Sequence, residues 1–379
     1  MAYSLFETAE LGPLISKNRT VRSATNEHLS DPSGQITPAW VDSLEALARG
    51  GVGIIITGHL SVDRDQRADE GQAVLDQETD PALLSLAAQR VHQHGALLIA
   101  QISHSGGKAR PGVNGRPPLS PGDLTPQLLD RLVEQFRHAA RTAQMAGFDG
   151  VQVHCAHNYL LSSFLNLRWN HREDAYGGSL ENRFRLIRRV LLAVRDACGP
   201  RFALLVKVDN DSCDDLPALL RLFQSAGVDG IELSGLDMAR RDGQKTPFFL
   251  DRLLAAWEGL TVPIFPVGGV FSRAAAEKVL AAGAPFVSLS RALICQPTSW
   301  SGWKKARQRA PAWPATTATM CTASARCAVC SIPKSSPSWR RCSAPTPPDF
   351  PRARSPDRER ARSHFCPPVP ALKKENRKK

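Results

Sequence analysis

Residues 151–164 read VQVHCAHNYLLSSF, with two imidazoles three apart, His154 and His157, and a phenol, Tyr159, two residues further on. Val151 and Val153 alternate with polar neighbours just before them, the pattern of a strand reaching its end. Three titratable side chains at a strand exit admit three readings. They could hold a metal, which needs a third ligand and an orienting group for each imidazole. Positions i and i+3 share a face on one helical turn, and Asp209 and Glu232 are candidates to complete such a set. They could be a general acid and its helpers, since a phenol of pKa about 10 is a weak acid suited to an enolate. They could also be polar side chains packed under a loop.

Four further positions could do chemistry. Lys207 stands inside the apolar run LLVKV, and a buried cation needs an anion. Gln101 closes another apolar run; its amide can donate to and accept from a pyrimidine edge, or be solvated in a loop. Gly268–Gly269 and Ser290–Arg291 follow two more such runs. Backbone N–H groups there, with a guanidinium fork, suit a phosphate; the glycines could equally serve only to turn the chain.

The elements that must position these residues repeat one unit. Apolar or β-branched runs at 20–25, 52–58, 96–102, 150–154, 202–208, 230–234, 263–269 and 286–290 predict strands. Helical patterns at 38–49, 81–94, 127–146, 180–197, 216–226, 247–257 and 273–282 alternate with them, and a shorter one follows Arg291. Gly95, Gly147, Gly199, Gly227 and Gly283 stand where C-caps belong. Ser179 can cap the helix from 180, with Asn182 at its third position. Strands separated by helices pair in parallel, and unalternating apolar runs suit strands covered on both faces. Eight such units predict an α/β chain folded as a (β/α)8 TIM barrel, a fold of ~250 residues or more. The alternative, a doubly wound open sheet, would carry a glycine-rich first turn, and RSATNEHLSDPSG is not one. In a barrel, His154, Gln101, Lys207, Gly268–Gly269 and Ser290–Arg291 all fall at the C-terminal ends of strands, where such folds place their sites.

The 379 residues carry 48 Lys+Arg and 36 Asp+Glu, a net charge of +12. Residues 301–379 hold 18 of the basic and 4 of the acidic ones, which leaves 30 and 32, a balance of −2, for residues 1–300. The basicity therefore belongs to the tail, which also holds 12 of the 28 prolines and 5 of the 9 cysteines. The expected domains are a barrel over 1–300 and a basic, disordered or aberrant tail over 301–379, too poor in aliphatic residues to offset its ordering entropy. Such a tail is either a polyanion-attracted arm or a segment without selected function, its composition resembling a GC-rich gene read out of frame. The second is the preferred reading, so no specific nucleic-acid partner is expected. There is no run of 18 apolar residues and no basic-then-apolar start, so neither a membrane span nor a signal peptide is expected. A reduced, cytoplasmic protein without a disulfide framework is the expectation.

Several segments together resemble the old yellow enzyme family of FMN-dependent ene-reductases. The most specific is HCAHNYLLSSFLNLRWNHREDAYGGSLENRFR (154–185), and KNRTVRSATNE (17–27), AQISHSGGKA (100–109) and FPVGGVFSRAAAEKVLAAGAPFVSLSRALI (265–294) match in the same order. The nearer relatives are bacterial NADH:flavin oxidoreductases, including the barrel portion of 2,4-dienoyl-CoA reductases. The resemblance implies FMN as cofactor and NAD(P)H as reductant, with a small α,β-unsaturated substrate. It implies that Gly268, Gly269, Ser290 and Arg291 hold the FMN phosphate, although Ser290 stands where the family commonly has Gly. It places Lys207 against the flavin N1–C2 carbonyl edge, Gln101 at the pyrimidine, and the backbone of Ser23, Ala24 and Thr25 along the ring. Asn26 occupies a position where relatives often have Thr or Cys, a residue that tunes the flavin. His154 and His157 become donors to a substrate carbonyl oxygen, and Tyr159 the acid that protonates the α-carbon.

The activity implied is reduction of activated C=C bonds of enone or enoate type. A catalytically silent flavin binder, or a defective product of the anomalous tail, is the alternative, and a metal-dependent barrel hydrolase is third. No metal is expected. An iron–sulfur cluster is not expected either: Cys327 and Cys330 keep part of such spacing, but Lys334 stands where the next cysteine belongs, with Cys342 and Cys321 the remaining thiols nearby. A homo-oligomer is left open.

Overall fold

The computed structural model describes residues 3–236, 247–297, 300 and 302–303. The chain opens with β1 (Ala9–Leu11) and β2 (Leu14–Ser16), then β3 (Thr20–Arg22), α1 (Pro38–Arg49), β4 (Ile54–Ile56) and β5 (Leu60–Ser61). Next come α2 (Ala82–Gln93), β6 (Leu97–Ser103), α3 (Pro126–Met145), β7 (Gly150–Cys155), α4 (Leu160–Leu165), α5 (Leu180–Cys198) and β8 (Ala203–Asp209). The described elements end with α6 (Leu216–Ser225), β9 (Gly230–Ser234), α7 (Leu250–Ala256), β10 (Ile264–Pro266), α8 (Arg273–Ala281), β11 (Val287–Leu289) and α9 (Arg291–Cys295).

Eight strands pair in parallel in the order β10, β9, β8, β7, β6, β4, β3, β11, with short β5 beside β6 off that path. One parallel bridge, Val267 to Ser288, brings the two ends of the sheet together into a nearly closed barrel. The (β/α)8 expectation is met, and every expected strand and helix lies within a few residues of its place. Caps set the helix starts: Thr37, Thr125, Ser179, Asp215 and Ser272 each accept a backbone N–H of the first turn. The five glycines expected at helix ends all have positive φ. The helix expected from 247 begins only at Leu250, after a turn at Phe248–Phe249.

Alternation along the strands sorts side chains into an outer shell and a barrel interior. On β8, Leu204, Val206 and Val208 join the large cluster shared with the helices, while Ala203 and Leu205 face the interior. The interior cluster is Val21, Ile54, Ile56, Ile99, Ala203, Leu205, Phe265 and Phe286, closed by Ala9, Leu11 and Leu14. Those last three come from the β1–β2 hairpin, which the sequence reading did not foresee. It stops the N-terminal end of the barrel: a Cβ on Gly230 at the start of β9 would meet Leu11 Cδ1 at 2.8 Å, and one on Gly12 would meet Asp229 Cβ at 2.4 Å. Trp300 and Trp303 are buried with rings 5.7 Å apart, and Trp300 packs 4.9 Å from Phe6, so the end of the described chain seals against its beginning. The tail expected over 301–379 otherwise lies outside the described residues.

The hairpin plug generates a test. Leu11 has no exposed surface, whereas Ile15 on the same hairpin is 70% exposed. Leu11→Ala should cost ~2–5 kcal/mol of stability and Ile15→Ala almost nothing, read from urea midpoints. Equal midpoints for the two variants would mean that the hairpin is not part of the cooperative core.

Candidate active site

The inward positions change character from one end of the barrel to the other. On β6, Ile99 is followed inward by Gln101; on β8, Leu205 is followed by Lys207 and then Asp209. Gln152 and His154 on β7 and Glu232 and Ser234 on β9 occupy the matching inward places, all buried. Above the apolar plug the barrel therefore holds a layer of polar side chains, joined across strands by hydrogen bonds. Gln101 Nε2 donates to Gln152 Oε1 at 2.7 Å, and Gln152 Nε2 donates to Glu232 Oε2 at 3.2 Å. Lys207 Nζ lies 3.3 Å from the same Glu232 oxygen and donates to Ser23 Oγ at 2.9 Å. The anion that a buried Lys207 requires is thus Glu232.

One step higher lie the three residues of the opening motif. His154 is the last inward residue of β7, and its ring centroid is 5.2 Å from that of His157 and 4.7 Å from that of Tyr159. The two histidines do not share a helical turn, as the metal reading supposed. β7 runs through Cys155, and His157 and Asn158 adopt left-handed backbone, φ 62° and 59°, before α4 starts at Leu160. Two successive non-glycine residues with positive φ are costly and need outside support. Asp209 gives it by accepting the His157 backbone N–H. The His157 Nε2 lies 2.9 Å from Ser234 Oγ and 3.5 Å from Asp209 Oδ1. Asp209 and Glu232, the possible completing ligands, are therefore committed to His157's backbone and to Lys207. Among the described residues no group of three or more His, Cys, Asp or Glu is arranged to hold a metal.

A third imidazole lines this mouth and was missed. The His59 ring meets Tyr159 edge-on at 5.2 Å and lies 6.2 Å from His154. Gln72 Oε1 accepts the Ala68 backbone N–H at 2.6 Å, so its amide NH2 faces His59 Nδ1, at 2.7 Å. That orientation leaves His59 protonated on Nε2. His59 follows β4 by three residues, outside any motif that periodicity marks. Gln152 was legible only as a single polar residue inside an apolar strand, and Glu232 only as a candidate to complete a metal set.

Burial decides the charges here. It pushes His59 and His104 down to about 4 and His154 well below its ordinary value, with His157, His59 and Lys207 adding repulsion at His154. Burial also pushes His157 down to about 3, Tyr159 up to about 12 and Asp209 up to about 7. Near pH 7 the imidazoles are neutral and the phenol keeps its proton. His154 Nδ1 and Glu232 Oε1 are buried without a partner among the described residues.

The remaining expected residues gather on the facing side. Ser23, Ala24 and Thr25 form the loop after β3, with the Ser23 N–H held by Leu289 O at 2.9 Å. Thr25 Oγ1 and Ser290 Oγ are 2.9 Å apart, so this loop joins the Lys207 group to the end of β11. Asn26 does not join either group; its Nδ2 donates to Asp69 Oδ2 at 2.9 Å, beside His28. Gly268 and Gly269, φ 114° and 75°, turn the chain after β10, backbone that favours glycine. The Arg291 guanidinium carbon stands 5.3 Å from the centre of the Phe271 ring at the start of α9.

These groups fit a flavin mononucleotide. Gln101 spends its NH2 on Gln152, and its Oε1 takes no bond from the described residues, so it can accept an N–H from a pyrimidine ring. Lys207 brings a buried cation to the same layer, and the glycine turn after β10 and Arg291 at the start of α9 lie on the facing side.

Comparison with known proteins defines the class. The (β/α)8 barrel is shared with solved structures. An old yellow enzyme homologue from Zymomonas mobilis superposes with a TM-score of 0.71 at 22% identity, over 82% of this chain and 95% of that one. Morphinone reductase in complex with tetrahydroNAD superposes with 0.69 at 21% identity, over 80% and 90%. The chain belongs to the NADH:flavin oxidoreductase / NADH oxidase family, whose model matches residues 4–309. FMN is the cofactor and NAD(P)H the reductant that this membership implies. Among curated relatives, the NADH oxidase of Thermoanaerobacter brockii is 28% identical over 80% of this chain and 51% of its own length. The 4,4'-dithiodibutanoate disulfide reductase of Rhodococcus erythropolis is 37% identical over 59% and 58%. The chain thus spans about half the length of these relatives. No helix among the described residues is long and apolar enough to cross a membrane.

The perturbed groups set a pH dependence for the apoprotein. His59, His104, His154 and His157 have depressed folded pKa values, so the unfolded chain takes up protons that the folded chain refuses as pH falls from about 6.5. Each contributes a loss of about 1.4 kcal/mol per pH unit down to its folded value. Asp209 acts oppositely: its raised value makes the folded chain hold a proton between about 4 and 7. Four groups outweigh one, so urea midpoints should fall from pH 6.5 to 4.5. His59→Gln should flatten that fall and Asp209→Asn should steepen it. A variant curve parallel to the parent's would refute the assignment for that residue.

Proposed function

We propose that this chain is an FMN-dependent oxidoreductase that reduces activated C=C bonds of enone or enoate type with NAD(P)H. The observation that supports it most is the cluster of His154, His157 and Tyr159, with imidazoles held neutral and a phenol held protonated above Lys207. Bound FMN, once reduced, supplies a hydride from N5.

The protein's own residues do the rest. Gly268, Gly269, Ser290 and Arg291 hold the phosphate, and the backbone of Ser23, Ala24 and Thr25 borders the ring. Lys207 and Gln101 face the pyrimidine edge, where a cation favours the reduced form. Asn26 tunes the flavin less directly, since its amide is spent on Asp69. His154 and His157 donate N–H bonds to the substrate carbonyl oxygen, which draws electron density from the β-carbon and opens it to hydride. Neutral imidazoles suit a neutral oxygen, because they polarise it without placing a second cation beside Lys207. Tyr159 then gives its proton to the α-carbon. The displaced charge ends on the phenolate, which solvent reprotonates.

Two measurements test these roles. His154→Ala should weaken binding of phenols, which mimic the polarised oxygen, about tenfold or more while leaving FMN affinity nearly unchanged. Equal phenol affinity in variant and parent removes the imidazole from the site. Tyr159→Phe should spare anaerobic reduction of the flavin by NADPH and slow its reoxidation by an enone by about 10²–10⁴-fold. Equal slowing of both half-reactions in stopped flow makes Tyr159 a packing residue. A yellow protein that NADPH bleaches but no enone restores is the silent flavin binder.

A further inference from the structure

Lys207 and Gln101 belong to different strands, yet one side chain governs both. Glu232 on β9 has no exposed surface. Its Oε2 is shared by Lys207 Nζ at 3.3 Å and Gln152 Nε2 at 3.2 Å. A carboxylate offers no hydrogen, so Gln152 must turn its NH2 toward Glu232. Its carbonyl oxygen then faces Gln101, which must in turn present its own NH2. The amide chain is directional, and the carboxylate at its root sets the direction. The free end of that chain is Gln101 Oε1, an acceptor. Had an amide stood at 232, both glutamines could flip together and offer a donor instead. Through its other contact the same carboxylate offsets the Lys207 charge, which has no other acidic partner within ion-pair distance among the described residues. Hydrogen bonds in a buried chain polarise one another, so a change at its root is felt at its end.

We infer that Glu232 is a positioning residue for the flavin: its buried carboxylate, held between Lys207 and the Gln152–Gln101 amide chain, sets both the charge and the hydrogen-bonding polarity that the barrel presents to the pyrimidine edge. This rests on the reading that Lys207 and Gln101 face that edge. Glu232 makes no contact with the ring itself; it acts through two residues that do. The consequence is a flavin whose reduced, anionic form is stabilised less than a lone lysine would allow, because the cation beside it is half neutralised. A second consequence is selectivity for a ring bearing an N–H at the position Gln101 meets, since an acceptor held in one orientation rejects an alkylated nitrogen.

The test measures the reduction potential and the affinity of bound FMN in three variants and the parent. Glu232→Gln keeps the volume, removes the charge and frees the amide chain to flip. It should strengthen binding of reduced over oxidised FMN about tenfold, which for a two-electron couple is a shift of about +30 mV. Lys207→Met should move the potential the opposite way. A shift with Lys207→Met and none with Glu232→Gln overturns the inference and leaves the placement of Lys207 standing. No shift with either variant overturns that placement, and with it the inference. Gln152→Leu serves if Glu232→Gln does not fold, since it cuts the chain and keeps the ion pair. It should weaken FMN about tenfold and leave the potential near the parent's, and an unchanged affinity overturns the role of the chain.

Discussion

The structure turns on one requirement: a lysine placed inside a closed barrel has to be neutralised there. Lys207 is 4% exposed and its partner Glu232 not at all. Taking two such charges from water costs several kcal/mol per ion, offset only by close pairing and further hydrogen bonds. The matching groups are Ser23, Gln152 and Gln101, supplied by three other strands or strand exits. The pair therefore fixes the register of β6, β7, β8 and β9 against one another. A slip of one residue would turn each of these side chains outward into the apolar shell shared with the helices. Chemistry and fold are specified by the same inward positions.

That pair also explains the state of the mouth above it. Lys207 is a fixed positive charge, and its repulsion adds to burial in holding His59, His154 and His157 neutral. Three imidazoles and a phenol with neighbouring ring centroids 4.7–6.2 Å apart could form a shifting network of charge. Beside them Asp209 titrates at about 7, and it is anchored to a backbone N–H. The donors are thus present in one protonation state over a wide range of pH, as pre-organised polar sites require.

Much of this was legible in the sequence because it is periodic. Strand after strand, apolar residues alternate between two faces, and the polar exceptions Gln101, His154 and Lys207 fall on the inward one. The helix caps were legible for a different reason: Ser179 and the five glycines act through their own backbone, within one turn. What stayed hidden depends on distant neighbours. The hairpin of residues 9–16 is too short to announce itself, and its role follows only from the open barrel end it fills. His59 lies in a loop without periodicity, and nothing local ties it to Tyr159. The left-handed pair His157–Asn158 was missed because neither is glycine; the support comes from Asp209, more than fifty residues away. The basic tail was legible as composition alone, and beyond Trp303 it lies outside the described residues.

The distribution of charge separates two tasks. Lys207 and Glu232 offset each other, the imidazoles are neutral and Tyr159 keeps its proton, so the mouth near β7 has little net charge at pH 7. Above that, Asp209 loses its remaining proton and the mouth turns negative. Such a surface does not attract an anion; it suits a neutral group with an acceptor oxygen, in keeping with the carbonyl substrate proposed. An anionic phosphate needs the opposite environment. The chain offers it across the barrel, where the glycine turn after β10 and Arg291 after β11 bring backbone N–H groups and a guanidinium. The loop of Ser23 to Thr25 touches both sides, through Lys207 and through Ser290. On the function proposed, a cofactor with an anionic tail and a polar ring would have its tail drawn to one side and its ring left over Lys207, Gln101 and the neutral imidazoles.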